Sequence, residues 1–173
     1  MSSPIPTRAN KAAISAHAEV VARHLNFKPG DSIEALVAKL GGRIDYRDQV
    51  GDRLPKSMIV RGQTDFTIFL PWITSAERDR FTIAHELGHL FLHYPIARQV
   101  HPNVEMIATR WVDESNEDQR RAEWEANWFA GAFLMPAELF SHKYRENPAT
   151  VPVYFGVSPK AAQIRAKTLG LAT

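Results

Sequence analysis

The sequence contains no cysteine, which excludes a disulfide framework and thiolate metal ligation, so any bound metal must rest on histidine and carboxylate groups. Long hydrophobic runs are missing too: none approaches the length that spans a bilayer, and the opening MSSPIPTRANKAA lacks the charged start and apolar core of a leader. There is no charge of one sign to exploit. With 21 basic against 19 acidic residues, the net charge is +2 and no basic run stands out, which argues against a dedicated nucleic-acid binder. Repeats and low-complexity tracts are also absent. The expectation is a cytoplasmic protein with no membrane association.

What is present is enough for one compact domain: 173 residues, 45% of them hydrophobic. Within it, residues 1–30 read as an N-terminal helix, 31–147 as the core and 148–173 as a C-terminal segment. Lys11 to Phe27 has helical spacing and ends at Pro29-Gly30. Asp31 with Glu34 reads as a capping box for a helix closed by Gly41-Gly42. Arg43 to Tyr46, Ser57 to Val60 and Phe66 to Leu70 are short extended pieces that suggest a three-stranded sheet. Thr74 with Glu77 reads as a second capping box, opening a helix that can run to His93. Pro95 to Asp118 is mixed, with Ile107 to Val112 a possible strand. Gln119 to Leu134 is helical again, with Trp124, Trp128, Phe129 and Phe133 on an apolar side, and Met135-Pro136 breaks it. A short helix from Ala137 to Arg145 follows, and Ser158-Pro159 opens a last one that ends before Gly170. The fold class is α+β, mostly helical.

The chemistry sits at His85-Glu86-Leu87-Gly88-His89. Two histidines four apart on a helix share a face, about 6 Å apart along the axis, and can reach one ion. Glu86 lies about 100° round the helix, beside the ligand row, where its carboxylate can take a proton from water. Gly88 has no side chain to keep a neighbouring element away. The pattern could be a coincidence in an amphipathic helix, but a buried His pair with a Glu is costly unless something satisfies it. A catalytic zinc usually has three protein ligands. The longer HExxHxxGxxH pattern is excluded, since Leu92 and Pro95 stand where Gly and the third His would fall. Glu123 and Glu125 are the carboxylate alternatives and point in different directions. Glu123 has Asn127 one turn on, able to accept a hydrogen bond from a ligand imidazole, whereas Glu125 reads as a solvated face. His93, Tyr94 and His142 are possible oxyanion donors, each as readily an ordinary packing or surface residue. The four tryptophans could line a peptide groove.

Taken together, His85-Glu-Leu-Gly-His-Leu-Phe-Leu-His93, Glu123-Trp-Glu-Ala-Asn-Trp-Phe-Ala130, Leu134-Met-Pro136, Gly156-Val-Ser158 and Arg165 to Leu171 resemble the ImmA/IrrE family of zinc metallopeptidases, relatives of the thermolysin-like zincins. The resemblance covers about three quarters of the chain. It implies a zincin-like core in which the HExxH helix packs on a second ligand-bearing helix. His85, His89 and Glu123 would be the zinc ligands and Glu86 the catalytic base. It further implies cleavage of a helix-turn-helix repressor, often co-encoded, that relieves repression of stress-response or mobile-element genes. Residues 1–30 match nothing in the family, so substrate choice is not carried over. Val153 to Leu171 also looks like half of a helix-turn-helix, with Lys160, Gln163 and Arg165 on the second helix. DNA binding is the less favoured reading of it, packing the more favoured. The alternative function is a non-catalytic module that binds a partner repressor or DNA.

Overall fold

The computed structural model describes residues 1–53 and 55–173. It is an α+β fold in which helices enclose a small open sheet. The elements in chain order are α1 (Lys11–His24), α2 (Ile33–Lys39), β1 (Gly42–Tyr46), β2 (Lys56–Gly62), β3 (Asp65–Leu70), α3 (Ala76–Gly88), α4 (Tyr94–Val100), β4 (Met106–Thr109), α5 (Glu117–Leu134), α6 (Ala137–Glu146), α7 (Val151–Phe155) and α8 (Pro159–Thr168). Among the described residues, no helix is long and apolar enough to cross a membrane.

The sheet has four strands in the order β1-β3-β2-β4, with β1 parallel to β3 and β2 antiparallel to both its neighbours. It is one strand larger than the expected trio, because Met106–Thr109 from the mixed segment pairs with β2. The outer edge of β4 is partly covered by the start of the chain: Ser2 N donates to Glu105 O and Ile107 N to Ser2 O, both at 2.8 Å. No local pattern in the sequence could announce that pairing.

The helix starts differ from expectation by one residue. Ser32, not Asp31, caps α2, accepting from Ala35 N, while Asp31 accepts from Lys28 N across the Pro29-Gly30 turn. Likewise Ser75, not Thr74, caps α3. After Gly88 the helix does not stop but widens into a π-helical turn, His89–His93, and continues as α4. Single wide turns of this kind often occur at functional sites.

Helix α5 is the central strut, packed on both α1 and α3. Ala122, Ala126, Phe129 and Phe133 bury its inner stripe, and Phe129 and Phe133 stack at 5.5 Å. Trp124, expected on that side, is half exposed beneath Arg120. Pro136 offers no capping side chain to α6, and Glu19 of α1 supplies one by accepting from Ala137 N at 2.6 Å. At the C-terminus, Gly156 takes a left-handed turn (φ +65°) between α7 and α8. Val151, Phe155, Val157, Ala162 and Ala166 bury this unit in the core. Arg165, read from the sequence as available to DNA, is itself buried and donates from Nε to Met135 O at 2.9 Å. Its role here is to tie α8 to the end of α5.

Helices α3 and α5 approach closely at Gly88. A Cβ there would stand 3.1 Å from the Ala126 Cα and 3.3 Å from its carbonyl oxygen, backbone that cannot rotate away. Gly88→Ala should therefore force α3 from α5 and destabilise the protein by about 1–3 kcal/mol, the usual range for overpacking a core. Urea unfolding should show this as a lower midpoint at unchanged slope. An unchanged midpoint would mean the two helices are not held at contact distance.

Candidate metal centre

Helix α3 presents His85, α3's continuation presents His89, and α5 presents Glu123. His85 Nε2 lies 3.1 Å from Glu123 Oε2, and His89 Nε2 lies 3.1 Å from Glu123 Oε1. The three residues offer ligand atoms that all fall within 4.8 Å of one another. The sequence expected these residues to converge, and the structure brings them together.

Each imidazole is oriented from behind. His85 Nδ1 donates to Asn127 Oδ1 at 2.9 Å, which leaves Nε2 free to face Glu123. His89 Nδ1 lies 2.9 Å from His93 Nδ1, and His93 Nε2 lies 3.0 Å from Glu125 Oε2. Despite its approach to Glu123, His89 Nε2 is buried and makes no hydrogen bond, as expected of atoms that point at a common centre rather than at each other. Glu86 is 3% exposed, and its Oε2 is also buried without a partner. A buried carboxylate oxygen left in that state is expensive unless a proton donor is brought to it.

The electrostatics call for positive charge. Burial works against a proton on His85, yet Glu123 and Glu86 beside it outweigh burial and raise its pKa to about 9. His89 goes the other way, lowered to about 4 by burial, with His85 and His93 adding to the effect and Glu123 opposing it. Burial raises Glu86 to about 7, against the pull of His85. Burial also pushes Glu123 up, but the two imidazoles outweigh it and hold this carboxylate far below its ordinary range. A dication among these groups would meet the same demand as the proton on His85 and would displace it.

Glu125 overturns its reading as a solvated face. It is fully buried, and its oxygens accept from Thr7 N (2.9 Å), Thr7 Oγ1 (2.9 Å), Arg8 N (2.8 Å), Arg121 Nε (3.1 Å) and His93. One signal in the sequence could have found it: Glu125 falls inside the stripe Ala122, Ala126, Phe129, Phe133, where a solvated charge has no place. The oxyanion candidates do not reach the centre. His93 is committed between His89 and Glu125. Tyr94 is buried and lines a separate cavity with Leu90, Phe91 and Arg98, and His142 is exposed and pairs with Glu146 at 3.1 Å.

Two cavities flank the cluster. One of about 350 Å³ is lined by Ile107, Thr109, Trp111 and Glu123. The other, about 520 Å³, reaches Asn127 and is walled by Phe81, Trp128, Met135 and Ile164. Trp111 thus shares a cavity with Glu123 and Trp128 one with Asn127, whereas Trp72 stacks on Tyr46.

With this geometry in place, comparison with known proteins is decisive for the family. Residues 63–167, more than half of the chain, match the IrrE N-terminal-like domain of the peptidase M78 family. The chain belongs to that family. Its matched region contains His85, Glu86, His89 and Glu123 as well as β3, α5 and most of α8. No curated protein matches the sequence significantly. A solved structure described as a Mycobacterium tuberculosis transcriptional regulator superposes with a TM-score of 0.59 at 19% identity, over 90% of this chain and 46% of that one. At that identity the likeness shows the shared fold, and this chain spans less than half the length of that protein.

The hydrogen bonds on Glu125 carry a pH dependence. Burial raises its pKa, but His93, the Thr7 backbone, Arg121 and the Thr7 hydroxyl outweigh it and hold it at about 2, below the ordinary 4.5. The stability this provides is present above the unfolded value and is lost as pH falls from about 4.5 through about 2. With a chelator present, the urea midpoint of the wild type should drop across that window more steeply than that of Glu125→Gln. Parallel curves would mean Glu125 is not held ionised.

Proposed function

We propose that this protein is a zinc-dependent endopeptidase that cleaves a helix-turn-helix transcriptional repressor, with His85, His89 and Glu123 as zinc ligands and Glu86 as general base. The observation that carries this reading is the convergence of two Nε2 atoms and one carboxylate beside Glu86, a buried carboxylate one of whose oxygens has no hydrogen-bond partner among the described residues. The donor set suits zinc: ligand atoms about 2.0–2.1 Å from a tetrahedral ion stand about 3.3 Å apart, close to the 3.1 Å separations between Glu123 and the two imidazoles. Two imidazoles and one carboxylate also leave a position open, as catalytic zinc sites do.

When bound, zinc supplies Lewis acidity that acidifies water and polarises a peptide carbonyl. Glu86 takes the proton of the attacking water and returns it to the leaving nitrogen. Its burial with one unpartnered oxygen keeps it a strong acceptor aimed beside the ligand row. Asn127 holds the His85 imidazole with Nε2 forward. The cavities on either side of Glu123 and Asn127 give an extended peptide room to lie across the centre. Family membership supports a regulatory peptidase, and so a repressor as the substrate. The burial of Arg165 supports reading the C-terminal segment as a packing element rather than a DNA reader.

Zinc content should be near one per chain in the wild type and be lost in His85→Ala and Glu123→Ala, as measured by elemental analysis of purified protein. Wild-type zinc in both variants would refute the ligand set. Glu86→Gln should keep its zinc and lose at least about 10²-fold in cleavage of a repressor encoded beside the protein's gene. Undiminished cleavage by Glu86→Gln would remove Glu86 from the mechanism.

A further inference from the structure

A buried chain of hydrogen bonds runs from His89 to the start of the protein, and the proposed reaction does not account for it. His89, His93 and Glu125 all have fully buried side chains. They are linked at 2.9 and 3.0 Å, and Glu125 is held in turn by the backbone N–H groups of Thr7 and Arg8, 118 and 117 residues away. With His93 neutral, one arrangement of protons satisfies every member. The Glu125 carboxylate accepts, so His93 donates from Nε2. A neutral His93 that donates there must accept at Nδ1. His89 therefore donates its Nδ1–H, and its Nε2 lone pair is directed at the position it shares with Glu123.

We propose that His93 and Glu125, anchored by Thr7 and Arg8 of the N-terminal segment, are positioning residues that fix His89 in the tautomer and orientation of an Nε2 metal ligand. This rests on the zinc reading above and adds to it a set of residues that touch neither metal nor substrate. Packing alone would be met by an apolar residue at 93, between the buried Leu92 and Tyr94, with no polar groups to satisfy. A carboxylate–histidine chain behind a ligand imidazole raises its basicity and locks its ring. The two ligand histidines are thus supported differently: His85 by an exposed Asn127, His89 by an interior chain whose last link is Thr7 and Arg8. The segment before them is itself fastened at β4 by Ser2, so the support behind His89 ends in residues that lie far from the motif in sequence.

The test is the zinc dissociation constant of the folded protein by chelator competition, for the wild type, His93→Leu, His93→Gln and His93→Asn, together with imidazole 15N spectra of the zinc-loaded wild type. His93→Leu should bind zinc about 10–100-fold more weakly. His93→Gln, whose amide can accept from His89 and donate to Glu125, should recover most of that loss. Asparagine is too short to span both partners and should behave like leucine, which keeps the test available if the leucine variant does not fold. The spectra should show His89 protonated at Nδ1. A merely structural role would lower the unfolding midpoint of the metal-free variants and leave the dissociation constant of the folded protein unchanged. Wild-type affinity in His93→Leu or His93→Asn would overturn the positioning role alone, whereas failure of the wild type to bind zinc would overturn the zinc reading beneath it.

Discussion

Everything at the candidate centre depends on how closely α3 approaches α5. The contact is close, with Gly88 set against Ala126 so that a Cβ there would stand 3.1 Å from the Ala126 Cα and would need the helices to shift. On α5, Glu123 and Asn127 lie three residues before and one after Ala126, so both face α3 at the same crossing. On the opposite side, His85 and His89 bracket Gly88 in the same way. The close crossing therefore sets the 3.1 Å spacing of Glu123 to both imidazoles. It also brings Asn127 within hydrogen-bond reach of His85. A larger residue at the crossing would disturb ligand spacing and imidazole orientation together.

The second constraint is that buried charge must be answered. Glu86, Glu123 and Glu125 lie beside His85, His89 and His93, and the two carboxylates of α5 divide the work. Glu123 turns to the imidazole Nε2 atoms and is partly open to a cavity. Glu125, two residues on and so about 200° round the helix, turns inward and is held by five donors, three of them from Thr7 and Arg8 of the N-terminal segment. Of the three, Glu86 keeps a buried oxygen with no partner among the described residues. That contrast sets Glu86 apart from Glu125, whose bonds are already committed.

How much of this was legible in the sequence follows the range of the interactions. The HExxH spacing is local, and a helical period of 3.6 places His85 and His89 on one face without tertiary knowledge. Glu123 was separable from Glu125 because Asn127 follows it at one turn. The proline and serine signals at Met135-Pro136 and Ser158-Pro159 are local as well, and the helix boundaries fall there. What was not legible depends on distant partners. Glu125 looked solvated because its donors come from Thr7 and Arg8. The fourth strand was legible in part, as the possible strand from Ile107 to Val112, but its register on β2 and the Ser2 pairing that covers its edge are set by distant residues. Arg165 looked available to DNA because only the fold reveals that Met135 O awaits it. The caps at Ser32 and Ser75 lie one residue beyond the expected ones, since neighbouring side chains of similar capping power compete and the local turn decides between them.

The central claim is that one zinc ion sits between His85 Nε2, His89 Nε2 and the Glu123 carboxylate. Diffraction from zinc-loaded crystals, recorded on both sides of the zinc absorption edge, tests it most directly because the anomalous signal locates the element without reference to activity. The account predicts a single strong anomalous peak within bonding distance of those three groups, with Glu86 beside the open position. A peak elsewhere in the protein, or none at these residues, would contradict it.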